Sequence, residues 1–224
     1  MEPIIIVNFK TYEQSTGING YKLARLHDEF ARQTGASVMV AVQNADIYRI
    51  SKEVGIPVLA QHVDPVTYGS NTGKDLPECI KEAGAYGTLI NHSEDRIDLE
   101  TIKKCIQRCR EAGLKTVVCA ESLTKAFEIA GMRPDYLAYE DPELIGTGKS
   151  VTTYNSDSVK KFGEMVEKAN KGNGKEIVPL TGAGISNGQD VRKSMELGMH
   201  GVLLASGVVK SKKPKAVLKD LTGD

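Results

Sequence analysis

Short β-branched runs and helical segments alternate from one end of this chain to the other, and that alternation limits its fold more than any other feature. Ile4–Asn8, Ser37–Val42, Val58–Gln61, Gly87–Ile90, Lys115–Cys119, Tyr136–Tyr139, Glu176–Leu180 and Gly201–Leu204 read as eight strands. Between them apolar residues recur at three- and four-residue spacing, as in Leu23, Leu26 and Phe30 or Ile102, Ile106 and Cys109, which predicts amphipathic helices. Gly35, Gly55, Gly84, Gly113, Gly131 and Gly198 stand near the ends of these segments and read as helix stops. Parallel neighbours cannot be joined by a tight hairpin and need a crossover, so uninterrupted strand–helix alternation predicts a parallel sheet.

Eight cycles share the 224 residues, with no composition shift or linker to mark a second unit, so residues 1–224 read as one domain. A closed parallel (β/α)8 barrel, an α/β fold, accounts for the count; an open doubly wound sheet usually has five or six strands. Such barrels typically need about 250 residues, so the helices or loops must be trimmed. Thinner outer helices leave apolar surface for neighbouring subunits to cover.

Charge and composition exclude several classes. Basic and acidic side chains number 29 each, so the net charge is zero. With no basic stripe interleaved with aromatics, the electrostatic footprint of a nucleic-acid binder is absent. The lysines between 210 and 215 read as a solvated helix start. The longest apolar runs, Ile4–Val7 and Val38–Val42, are far below the ~18 residues that cross a bilayer, so no membrane partner is expected. Met1-Glu2-Pro3 leads straight into a strand without a secretory leader, which predicts a cytoplasmic location. Cys79, Cys105, Cys109 and Cys119 are scattered and read as reduced thiols. Cys105 and Cys109 share a helix face, but no convergent four-ligand set accompanies them, so no metal is expected.

In a barrel of this kind the functional groups sit where strands run into the following helices. The first strand ends in Asn8-Phe9-Lys10, which sets a positive charge at the mouth, useful against a phosphate or a developing oxyanion. The fourth ends in Asn91-His92-Ser93-Glu94, where an imidazole can face a substrate oxygen. His27 lies in a helical pattern, His200 precedes a strand at the opposite rim, and His62 reads as packing or a subunit contact. The sixth strand ends in Tyr139-Glu140, followed by Asp141-Pro142-Glu143 and Leu144-Ile145-Gly146-Thr147-Gly148, a carboxylate beside a loop built like a lid. After the seventh and eighth strands come Thr181-Gly182-Ala183-Gly184-Ile185-Ser186 and Ala205-Ser206-Gly207. Small residues there let backbone amides approach an anion, the usual barrel phosphate site.

In barrel order and over the whole chain, these motifs resemble the triosephosphate isomerase family, the source of the name TIM barrel. Asn8-Phe9-Lys10 matches its N-x-K, Asn91-His92-Ser93-Glu94 its histidine motif, and Tyr139-Glu140 with Leu144-Ile145-Gly146-Thr147-Gly148 its base and lid. The compact length and Gly182-Ala183-Gly184-Ile185-Ser186 are similar to the archaeal branch, which implies a homotetramer of shortened barrels.

The resemblance implies interconversion of dihydroxyacetone phosphate and glyceraldehyde 3-phosphate without a cofactor. Glu140 would be the base, and neutral His92 would polarise the carbonyl; triosephosphate isomerases are themselves the standard illustration of that pairing. Lys10 and Asn8 would stabilise the enediolate, and both would bind substrate together with Phe9. Amides at Ile145, Gly184, Ala205 and Ser206 would hold the phosphate, Ser93 would engage Glu140 in the empty site, and Glu94 would pair with Lys10. Two departures stand out: Asn91 where glycine commonly precedes the histidine, and Asp141 where proline commonly follows the glutamate. They bear on loop geometry and lid hinge, and so on rate more than reaction type. Another phosphosugar enzyme would keep the phosphate cradle with different acid and base positions. A noncatalytic phosphometabolite-binding barrel would tolerate loss of Glu140 and His92.

Overall fold

The structure, a computed structural model, describes residues 2–142, 144, 150–172, 174–182 and 184–223. Its elements run β1 (Ile4–Asn8), α1 (Ile18–Thr34), β2 (Val38–Val42), α2 (Asn44–Ser51), β3 (Val58–Ala60), α3 (Pro77–Glu82), β4 (Gly87–Ile90), α4 (Leu99–Glu111), β5 (Lys115–Ala120), α5 (Leu123–Gly131), β6 (Tyr136–Tyr139), α6 (Val151–Tyr154), α7 (Ser156–Asn170), β7 (Val178–Thr181), α8 (Gly188–Glu196), β8 (Gly201–Leu204), α9 (Ser206–Val209) and α10 (Pro214–Thr222). Each strand pairs in parallel with the next, and β8 returns to β1 to close the barrel. The register sets Asn8 opposite Ala41 and Ile4 opposite Gly201.

The strand pleat divides the core in two. Ile6, Met39, Ala41, Leu59, Leu89, Val117, Cys119, Ala138, Leu180 and Leu203 fill the barrel interior. Their strand neighbours, among them Ile5, Val7, Val40, Ile90, Val118, Leu137, Tyr139 and Val202, face the helices. This period of two, buried on both sides, explains why the strands read as unbroken apolar runs.

Local signals place most helix ends. Asp98 caps α4 by accepting from Thr101 N (2.9 Å), and Ser122 caps α5 by accepting from Lys125 N (3.1 Å). Gly35 closes α1 at φ 80°. Gly55 is not a stop, since α2 ends at Ser51; Gly131 is the last residue of α5, but the left-handed turn falls two residues later, at Arg133 (φ 58°). The seventh strand begins at Val178 instead of Glu176, because Ile177 is drawn out of the ladder by Asn170. That side chain accepts from Ile177 N (2.9 Å) and donates to Ile177 O (2.8 Å). β2, β3 and β5 differ by one residue at an end.

The outer layer is thin: α3 has six residues, α5 and α8 nine each. Ile18, Tyr48, Tyr68, Phe127 and Tyr154 stay exposed. Among the described residues no helix is long and apolar enough to cross a membrane, and all four cysteines are free thiols.

Candidate active site

The pleat delivers two polar groups to the carboxyl rim. In β1, Ile6 points into the barrel and Val7 towards the helices, so Asn8 again faces inward; in β6, Ala138 and Tyr139 alternate likewise and Glu140 follows inward. Asn8 and Glu140 are both buried. Phe9, on the helix-facing side, packs edge-on against His27 of α1 with ring centroids 5.5 Å apart. Lys10 then turns through a left-handed φ of 48°, a conformation that costs a non-glycine residue energy unless its surroundings hold it. Its amide donates to Asn8 Oδ1 (3.0 Å), its carbonyl accepts from Gln61 Nε2 (3.0 Å), and its ammonium lies 2.7 Å from Glu94 Oε1.

These residues share a cleft of about 330 Å³ lined by Asn8, Lys10, Tyr12, His92, Ser93, Glu94 and Glu140 on one side. Gly184, Ile185, Ser186, Ala205, Ser206 and Gly207 form the other. His92 Nε2 lies 3.6 Å from Glu140 Oε1. The other ring nitrogen, Nδ1, faces the amide of Glu94 at 3.2 Å, and an amide can only donate. A neutral His92 therefore carries its proton on Nε2, directed at the cleft. Beneath Glu140 lies Cys119, whose thiol is pushed well above its ordinary pKa by burial and then by the Glu140 charge, so it stays protonated. Gly182 makes room for the carboxylate: a Cβ there would lie 3.1 Å from Glu140 Cγ and 3.2 Å from Oε1.

On the opposite wall, α9 begins at Ser206, so the amides of Ser206 and Gly207 have no acceptor within the helix. Gly184 turns at φ 71°. Gly207 packs beside Ser186, where a Cβ would lie 3.4 Å from Ser186 Cα, so the two loops are in contact. The Ser186 amide is already taken by Asp190 Oδ2 (3.1 Å).

The structure thus gathers Asn8, Lys10, His92, Ser93, Glu94, Glu140, Gly184, Ala205 and Ser206 at one cleft; Phe9, expected to bind substrate, is instead fully buried against α1 and does not line it, and Ile145 lies outside the described residues. Ser93 does not pair with Glu140. Its hydroxyl is buried without a hydrogen bond among the described residues, since the carboxylate turns to His92 instead. His62 sits between Asp95 (3.0 Å) and Asp64 (3.6 Å), away from the cleft. Lys210, read as solvated, stacks over the Tyr12 ring at 4.3 Å. The sequence pointed to no site role for Tyr12 or Gln61, although Gln61 stands at a strand tip; Cys119 read only as a reduced thiol, and Gly182 only as part of the small-residue tract. Among the described residues no three His, Cys, Asp or Glu side chains are grouped as metal ligands.

A closed parallel barrel with a carboxylate, an imidazole and a lysine at its carboxyl rim, facing a wall of small residues, defines a (β/α)8 barrel with titratable groups gathered at one rim cleft. Comparison with known proteins makes the class particular. Residues 3–221 match the family model described as triosephosphate isomerase. The triosephosphate isomerase of Methanobacterium bryantii is 48% identical over 219 residues, 98% of this chain and 95% of that one. The triosephosphate isomerase of Methanocaldococcus jannaschii is 42% identical over 97% of this chain and 98% of its own. The crystal structure of triosephosphate isomerase from Bartonella henselae superposes with a TM-score of 0.74 at 20% identity, covering 93% of this chain and 94% of that one, a likeness of fold. This chain belongs to the triosephosphate isomerase family.

Proposed function

We propose that this protein interconverts dihydroxyacetone phosphate and D-glyceraldehyde 3-phosphate, a step of glycolysis and gluconeogenesis, by proton transfer through an enediolate. The observation that carries the reading is the convergence of Glu140, His92 and Lys10 on one cleft beside a wall of small residues.

A carbon acid is hard to deprotonate in water, so the site must stabilise negative charge on oxygen as it forms, with dipoles already aimed there. Glu140 removes a proton from the carbon beside the carbonyl and returns it to the neighbouring carbon. His92, protonated on Nε2, donates to the carbonyl oxygen, and proton exchange between the two substrate oxygens passes through that nitrogen. Lys10 and Asn8 offset the charge on the enediolate. Gly184, Ala205 and Ser206, with Ile145 from the family pattern, hold the phosphate. Glu94 pairs with Lys10, and Ser93 borders the base. The reading makes the protein a single-domain cytoplasmic enzyme. Its thin outer layer and exposed Tyr48 and Phe127 support assembly as a homotetramer, which light scattering tests.

Glu140→Gln is expected to lower turnover at least ~10²-fold, the low end for a positioned base, while affinity for inorganic phosphate is kept. Equal turnover in variant and parent, in a coupled assay of triose phosphate interconversion, refutes the base assignment.

A further inference from the structure

We propose that Asn91 is a positioning residue for His92: its side chain holds the turn that carries the imidazole into the cleft. The catalytic consequence rests on the acid–base reading above; the structural one does not.

The pleat that serves Asn8 and Glu140 would fail His92. In β4, Leu89 fills the barrel interior and Ile90 faces the helices. Continued alternation would send residue 91 inward and residue 92 back towards the helices. Yet His92 lines the cleft with Asn8 and Glu140. The register is broken at Asn91, whose φ of 59° is left-handed. Asparagine is among the few residues with a side chain that visit this region routinely.

Torsion alone does not account for the residue, since glycine supplies it at less cost. Asn91 is 4% exposed, and both ends of its amide are bonded. Nδ2 donates to Cys119 O on β5 at 2.8 Å, and Oδ1 accepts from Ile97 N at 3.0 Å. One side chain thus ties the start of the 91–97 loop to the neighbouring strand and to the loop's far end. Inside that closed span, Asp95 N donates to His92 O (2.8 Å) and Glu94 N donates to His92 Nδ1 (3.2 Å). The second of these bonds selects the Nε2–H tautomer. It depends on Glu94 staying in place, and the Asn91 clamp fixes the loop that bears it. Buried polar groups bonded at both ends hold one geometry, because either bond left unmade costs free energy.

The test compares Asn91→Gly, which keeps the torsion and removes both bonds, with Asn91→Asp, which keeps the acceptor for Ile97 N and removes the donor to Cys119 O. Each is read by ¹⁵N chemical shifts of the His92 ring, by kcat and KM separately, and by affinity for inorganic phosphate. For Asn91→Gly we expect the His92 nitrogens to move from one fixed tautomer towards averaged values. We also expect kcat to fall about 10-fold, within the loss that a small misplacement of a reacting group causes. Phosphate affinity should stay within twofold, because the small-residue wall is untouched. Asn91→Asp should show the same shift to a smaller degree. Unchanged His92 shifts with parental kcat in Asn91→Gly would overturn the proposal. A fall in phosphate affinity equal to the fall in kcat would overturn it too, by showing general loosening of the rim. If the parent itself fails to isomerise triose phosphates, the proposed function fails, while the nitrogen shifts still decide the role of Asn91.

Discussion

Acidification should destabilise this protein through one histidine before its carboxylates are titrated. His27, in α1, is fully buried and edge-on to Phe9, which lies between Asn8 and Lys10. Its Nδ1 lies 2.7 Å from Leu23 O and donates to it, while Nε2 is buried with no hydrogen-bond partner among the described residues. A second proton would have to sit on that nitrogen, in apolar surroundings. Burial therefore lowers the pKa from 6.5 to about 4, only partly offset by the bond to Leu23. Because the folded value lies below the unfolded one, the unfolded chain binds the extra proton first. Stability is full above pH ~6.5, falls as the pH drops towards ~4, and is flat with respect to this group below that. The whole span is worth about 3 kcal/mol, of which about 2 kcal/mol is lost between pH 7 and pH 5. Asp64, Asp98, Asp135, Glu111 and Glu167 are held below the carboxylate range, so the stability they contribute is lost only as the pH falls to ~4 and below. The window from pH 7 to 5 is thus left to histidine. Urea unfolding of the parent and of His27→Leu, at fixed protein concentration and several pH values, isolates the effect because His62, His92 and His200 are common to both. The expected result is a parent that loses about 2 kcal/mol more than the variant between pH 7 and pH 5. Parallel profiles would refute the argument.

Two further outcomes are expected. Gly182→Ala would place a methyl 3.2 Å from Leu203 O, on a strand that cannot yield, and 3.1 Å from Glu140 Cγ, which can. The carboxylate should shift, lowering kcat about 10-fold or more with little change in phosphate affinity; parental kcat would show that the base tolerates displacement. In the native protein at pH 8 a thiol alkylating reagent should label Cys79 alone, because Cys105 and Cys109 are buried with thiols raised to about 12 and Cys119 is raised by burial and Glu140. All four should react in urea, and a second label before unfolding would contradict the burial argument.

The barrel was legible in the sequence because its two periods are set by local chemistry. Strand runs buried on both faces must be apolar throughout, and helices on one face must repeat every three or four residues. Where a long-range bond competes with the local signal, legibility ends. Ile177 has the composition of a strand residue, yet Asn170 captures both of its backbone groups and the ladder starts one residue later. Gly131 has the composition of a helix stop, but the turn falls at Arg133.

The site divides along the same line. Groups that would do chemistry stand at strand tips and announce themselves by type, so Asn8, Lys10, His92, Glu94 and Glu140 could be picked from the sequence. The contacts that aim them could not, because the partners lie on other strands. Gln61 on the β3 tip holds Lys10 O, Asn91 on the β4 tip holds Cys119 O, and Gly182 after β7 clears space for Glu140 from β6. Asn91 and Gly182 act one strand away from their own and Gln61 two, relations fixed by the closure of the barrel and absent from any linear spacing. The two left-handed non-glycine residues at the carboxyl rim fit this pattern. Lys10 and Asn91 are the points where chain direction departs from the pleat, and at both a side-chain amide bonds a backbone carbonyl across a strand boundary. Glycine would supply the same torsion at position 91 without a side chain, so in this chain the torsion is kept and a clamp is added, and the cost of losing the clamp is set by how well the rest of the 91–97 loop can hold itself.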